Sequence, residues 1–153
     1  MLVKLTTNSL DRTIEMGRKL GLKLKGGEVI ELISDLGGGK TSLTTGVVAG
    51  AGSEDMVASP SFTISYLYSA PKFNIHHFDF YRLEDPGIVK LSLSEAISEK
   101  NDVIIVEWGD IVSDALPEDR ITIKLKAVPE DDSKRLIEIE APEEFKYIIE
   151  DLK

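Results

Sequence analysis

The chain has 153 residues, a formal net charge of −9 and no cysteine, with 42% hydrophobic and 29% charged residues. That length suits one domain, residues 1–153, burying roughly two thirds of the surface an unfolded chain exposes. The composition excludes a mostly disordered chain, disulfides, thiol catalysis and cysteine-ligated metals. The acidic balance argues against a direct nucleic-acid ligand, because proteins that grip a phosphate backbone concentrate Lys and Arg. Nowhere is there the run of about 20 apolar residues that a membrane span needs, so a cytoplasmic protein without membrane contact is expected.

In chain order, Leu10, Ile14, Gly17 and Leu20 recur at three- and four-residue intervals, which predicts a helix over residues 10–24 capped by Asn8 or Ser9. The branched-apolar run EVIELI, residues 28–33, follows Gly26 and Gly27 and reads as a strand. After the loop SDLGGGKT comes a helix over residues 41–49, with Leu43 and Val47 on one face and Gly50 and Gly52 at its end. Residues 73–81 alternate as a strand, residues 91–99 read as a helix, and the unbroken apolar run of residues 102–108 reads as a buried parallel strand. Residues 120–128 and 135–141 form a hairpin around the polar PEDDSK. The tail, residues 141–153, reads as a helical extension with Phe145, Ile148, Ile149 and Leu152 on one face and Pro142 in its first turn, covering an apolar edge of the sheet. Together these predict an α/β sandwich of the P-loop NTPase type, with a mixed, mainly parallel central sheet and a C-terminal hairpin plus short helix.

The loop carries the chemistry. SDLGGGKT matches the phosphate-binding pattern GxxxxGKS/T except at its first position, where Ser34 replaces glycine. A glycine-rich turn between strand and helix points successive backbone N–H groups into one concave anion site at the positive end of the helix. Gly37, Gly38 and Gly39 supply that backbone, Lys40 would reach the β- and γ-phosphates, and the Thr41 hydroxyl would bind Mg²⁺. Asp35, Leu36 and Ser42 complete the cradle. A serine at position 34 costs about 1–2 kcal/mol if φ there is positive and almost nothing if it is negative. Asp79 and Glu107 end two strands, where ligands bind in open α/β sheets, and are the candidate acids for Mg²⁺ and the attacking water. The bland alternatives are a strand-end cap for Asp79 and pairing with Arg82 for Glu107. His76 and His77 are adjacent, so they face opposite sides of a strand and cannot easily share a metal; packing roles are expected. The guanine-reading N/TKxD pattern is absent, which favours adenine.

LGGGKT, SPSFTISYLY (59–68), HFDFYRL (77–83), IVEW (105–108) and LPEDR (116–120) occur in this order in a chain that resembles the bacterial TsaE (YjeE-like) family from about residue 6 to 141. The resemblance implies a slow, partner-stimulated, Mg²⁺-dependent ATPase that supports threonylcarbamoyladenosine modification of tRNA by binding the TsaB and TsaD proteins, which would hold the tRNA. It also implies that Lys40 and Thr41 meet phosphate and Mg²⁺, and that Asp79 lies near the metal. Ser61 stands where the family has threonine in a switch segment, and Glu107 and Trp108 match a pair tied to hydrolysis. Ser34 and the acidic C-terminal tail depart from the pattern. Two alternatives remain: a small-molecule kinase, whose ATP consumption would need an acceptor, and a non-catalytic ATP-dependent binding module, which would tolerate Glu107→Ala.

Overall fold

The computed structural model describes residues 1–34, 39–57, 65–81 and 87–152. Among the described residues, β1 (Leu2–Thr7), β2 (Val29–Ile33), β3 (Ser65–Ser69), β4 (Asn74–Asp79), β5 (Val103–Glu107), β6 (Ile121–Val128) and β7 (Asp131–Glu140) form one sheet in the order β1-β7-β6-β2-β5-β4-β3. The four central strands β6, β2, β5 and β4 run parallel, while β7 and β3 oppose their neighbours. Since β1 in turn opposes β7, five of the seven strands point one way. This is the expected mixed, mainly parallel sheet ending in a hairpin.

Helices cover both faces, which is why β5 is apolar without interruption. Its Val103 and Ile105 enter a core beneath α1 (Leu10–Lys23) and α2 (Lys40–Gly50), with Leu20, Leu43 and Val47. Its Ile104 and Val106 enter a second core with Leu93 and Ala96 of α3 (Gly87–Ser98) and Val112 of the 3₁₀ helix Gly109–Ala115. Ser9 is the cap of α1: its side chain accepts the Arg12 N–H at 3.1 Å, satisfying one of the otherwise unpaired donors of the first turn. The α1–α2 seam is set by glycines. A Cβ on Gly17 would stand 2.2 Å from the Leu43 carbonyl oxygen, and one on Gly46 would stand 1.9 Å from that of Ile14, so the two backbones approach more closely than side chains would permit.

Two strands, β1 and β3, were not anticipated, and α3 starts earlier than the expected residue 91. At the C-terminus, the residues after Pro142 form a 3₁₀ helix, Glu143–Ile148, rather than the expected α-turns, and Pro142 stands at its N-cap instead of inside its first turn. Six residues are short enough for the tighter winding. Ile148, Ile149 and Leu152 are buried in the first core with Phe145 packed against it, so the apolar face does what its spacing implied. Tyr147 donates its hydroxyl to Glu28 Oε2 at 2.6 Å. Glu28 is fully buried and also accepts the N–H groups of Lys25 and Gly26, each at 2.8 Å. Burial, reinforced by that carboxylate, pushes the Tyr147 phenol well above its ordinary value.

Candidate active site

Helix α2 begins where the glycine pattern demands. Gly39 is its N-cap at φ 100°, ψ 13°, a left-handed conformation that L side chains rarely adopt, which accounts for the glycine. The helix so started leaves its first N–H groups facing outward at its positive end. Ser34 is not in that class: the non-glycine residues with positive φ among the described residues are Trp108 at 57° and Asp151 at 62°. Serine at position 34 therefore carries no left-handed strain.

Lys40 opens α2 and is 8% exposed. Its ammonium donates to the Ser34 carbonyl at 3.2 Å and lies 4.5 Å from the centroid of the Trp108 ring. The Trp108 ring in turn lies 5.0 Å from that of Tyr81. Trp108 takes its left-handed conformation at the N-cap of the 3₁₀ helix Gly109–Ala115, where the chain turns sharply out of β5. Gly109 packs so close to Glu31 that a Cβ there would be 2.7 Å from Oε2, and buried Glu31 is paired with Arg120 Nε at 3.0 Å. Thr41 and Ser42 lie in the first turn of α2, the first exposed and the second half-buried. A cavity of about 240 Å³ opens beside Ser34 and Trp108, lined also by Asp110, Lys124 and Lys126.

The two predicted acids come together. Asp79 and Glu107 are register partners at the carboxyl ends of the adjacent parallel strands β4 and β5, and strand alternation puts both on the face covered by α2. Burial pushes the Asp79 carboxyl above its ordinary value; the Tyr81 N–H, bound at 3.0 Å, opposes the rise, Glu107 adds to it, and His77 and Lys40 pull it down. Among the described residues no three His, Cys, Asp or Glu side chains gather into a metal cage. A Mg²⁺ ion, which commonly takes one or two protein oxygens plus phosphate and water, does not need one. A buried carboxylate beside a second acid suits such an ion, so Asp79 fits the role of a protein ligand.

The structure corrects the expectation for the histidines. They do face opposite sides, but both make polar contacts: His76 Nε2 lies 2.8 Å from Asp102 Oδ2, and His77 Nε2 lies 2.6 Å from Glu107 Oε2. Among the described residues, the partner of Glu107 is His77. The Glu31–Arg120 pair behind Trp108 was also missed, although a glutamate inside the apolar run VIELI was its visible signal. Asp35, Leu36, Gly37, Gly38, Ser61 and Arg82 lie outside the described residues.

A parallel-centred sheet whose β2 leads into a glycine-capped helix, with two acids at neighbouring strand ends, defines an α/β protein of the P-loop NTPase-like class. Its fold is similar to that of Bacillus subtilis YdiB in the crystal, with a TM-score of 0.81 and 26% identity over 99% of this chain and 94% of that one. Residues 7–137 match the family described as threonylcarbamoyl adenosine biosynthesis protein TsaE, and the chain belongs to that family. It is 33% identical over 136 residues, 88% of this chain and 92% of the relative, to the tRNA threonylcarbamoyladenosine biosynthesis protein TsaE of Rickettsia prowazekii. The protein of that name from Bacillus subtilis is 37% identical over 108 residues, 71% of this chain and 67% of its own.

Proposed function

We propose that this protein is a Mg²⁺-dependent ATPase of the cytoplasm that supports threonylcarbamoyladenosine modification of tRNA through TsaB and TsaD, without itself holding the tRNA. The observation that carries the reading is the pairing of Asp79 with Glu107 at strand ends beside the α2 N-terminus that Lys40 opens. Residues 35–39 would wrap the phosphates with backbone N–H groups, aided by Ser42. Lys40 would exchange its contact with the Ser34 carbonyl for the β- and γ-phosphates, where it offsets the charge that develops on transfer. Trp108, which flanks Lys40, would form one wall of the nucleotide site. Mg²⁺, held by Thr41 and Asp79 with Glu107 nearby, supplies further charge neutralisation when bound. Glu107 would orient the attacking water, and Ser61 would close over the γ-phosphate. The absence of a basic run in a chain of net charge −9 supports leaving tRNA to the partners.

The test is ATP hydrolysis by the purified protein, alone and with TsaB and TsaD. Slow turnover is expected alone and strong stimulation with the pair, both abolished by Lys40→Ala, while Glu107→Ala retains ATP binding and loses turnover. Absence of hydrolysis in every combination, or full turnover by Lys40→Ala, would overturn the proposal.

A further inference from the structure

The contact between His77 and Glu107 belongs to a longer buried chain. Tyr68, His77 and Glu107 are 3%, 1% and 3% exposed and come from three neighbouring strands, β3, β4 and β5. The Tyr68 hydroxyl lies 3.2 Å from His77 Nδ1, and His77 Nε2 lies 2.6 Å from Glu107 Oε2. With Glu107 as a carboxylate, which can only accept, Nε2–H donates to it, and in the neutral imidazole Nδ1 then accepts from the tyrosine. Both ring nitrogens are thereby used, and the imidazole has one orientation that satisfies them. Packing reinforces it, since the Tyr68 and His77 rings lie 5.9 Å apart. The contacts are diagonal: Tyr68 is opposite Ile75, and His77 is opposite Ile105, in register. Each side chain therefore reaches one step along the sheet toward its carboxyl end, where Asp79 and Glu107 meet.

We infer that His77 is a positioning residue for the Glu107 carboxylate, held in its own orientation by Tyr68, so that edge strand β3 is mechanically tied to the acid that orients water. A buried carboxylate with no donor would be costly and free to choose among rotamers. One charge-assisted hydrogen bond from a ring that cannot rotate removes both problems and fixes Oε2, so that the aim of Oε1 is set by the sheet. The position of Tyr68 then matters for hydrolysis although it lies two strands from Glu107, and any partner that moves β3 moves the glutamate. This inference rests on the ATPase proposed above.

Two measurements test it, one of which does not depend on turnover. The chain has two histidines, so the imidazole resonances of ¹⁵N-labelled protein are readily assigned. The His77 Nε2–H signal is expected to shift in Glu107→Gln and its Nδ1 signal in Tyr68→Phe; no shift in either refutes the chain of contacts even if the protein never hydrolyses ATP. In the hydrolysis assay with partners present, His77→Leu should lower kcat by at least about tenfold, with KM and nucleotide affinity changed less than about threefold. His77→Gln, which keeps a donor near the Nε2 position, should recover most of the loss. In urea midpoint, His77→Leu and Glu107→Ala should be non-additive, because the two side chains make one contact. Wild-type kcat in His77→Leu, no rescue by glutamine, or an additive double variant would each overturn the inference. Wild-type protein without turnover would instead sink the ATPase proposal, leaving the resonances to decide the contact.

Discussion

Replacing Gly46 with alanine tests whether the α1–α2 seam sets the position of the helix that carries Lys40. In an open helix this change stabilises by about 1 kcal/mol, because alanine loses less backbone freedom and packs its own turn. At Gly46, however, the added Cβ would lie 1.9 Å from the Ile14 carbonyl oxygen, 2.8 Å from Arg18 N and 2.9 Å from Gly17 Cα. All three obstacles are backbone, so no flexible side chain can give way. The helices must part by roughly 1 Å before the contact is tolerable, and an interior packed to crystal density resists that. Overpacking of this kind costs about 1–3 kcal/mol, and Leu43 and Val47, which are buried in the same core, lose contact as the seam opens. Set against the propensity gain, the net expectation is about 1 kcal/mol of lost stability, or a midpoint lowered by roughly 2–4 °C for a domain of this size. Urea and thermal unfolding followed by circular dichroism and by the emission of Trp108, the single tryptophan, would measure it. ATP affinity should fall in parallel, since α2 moves with its first turn. An unchanged or raised midpoint would mean that propensity outweighs the close approach, and the account of the seam would be wrong.

Asp79→Asn should raise stability at neutral pH while abolishing Mg²⁺-dependent ATP hydrolysis. Burial raises the folded-state value of Asp79 above its ordinary 3.8, so the folded protein holds the proton longer; the associated stability is present below the unfolded value and is lost as pH rises through the folded one. Urea midpoints should therefore differ at neutral pH and converge below the ordinary carboxyl value, and equal midpoints at neutral pH would refute the assignment. Tyr147→Phe removes one of the three donors that the described residues give buried Glu28 and should cost about 1–2 kcal/mol, read as a lower urea midpoint; no loss would show that the C-terminal 3₁₀ helix is not tied there. Ser34→Gly should alter ATP affinity by less than about threefold in a calorimetric titration, since serine carries no left-handed strain at that position. A gain near a hundredfold would mean that the serine distorts the phosphate loop.

Much of the architecture was legible because it rests on local patterns. The unbroken apolar run of β5, the glycine turn ahead of α2 and the 3.6-residue spacing of α1 each report a single element's surroundings. β1 and β3 escaped for a common reason: LVKLTT and SYLYS alternate residues of mixed polarity, and both are outermost strands of the sheet, so most of their side chains stay at least partly exposed. The boundary of α3 and the 3₁₀ winding of Glu143–Ile148 depend on end geometry, to which apolar spacing is blind.

The candidate site divides along the same line. Asp79 and Glu107 could be picked out one at a time because each ends its own strand, but their adjacency required knowing that β4 lies beside β5. His77 shows the limit more sharply. Its orientation opposite to His76 followed from strand alternation, whereas its chemistry depended on which strand lay on each side and in what register. A one-residue slip of β5 would have put Val106 where Glu107 stands and left His77 a ring in an apolar layer, consistent with the packing role expected for it. Cross-strand register therefore separates a structural histidine from one that can aim a carboxylate. It arises from long-range pairing, so Tyr68, His77 and Glu107 could be linked only once the sheet was known.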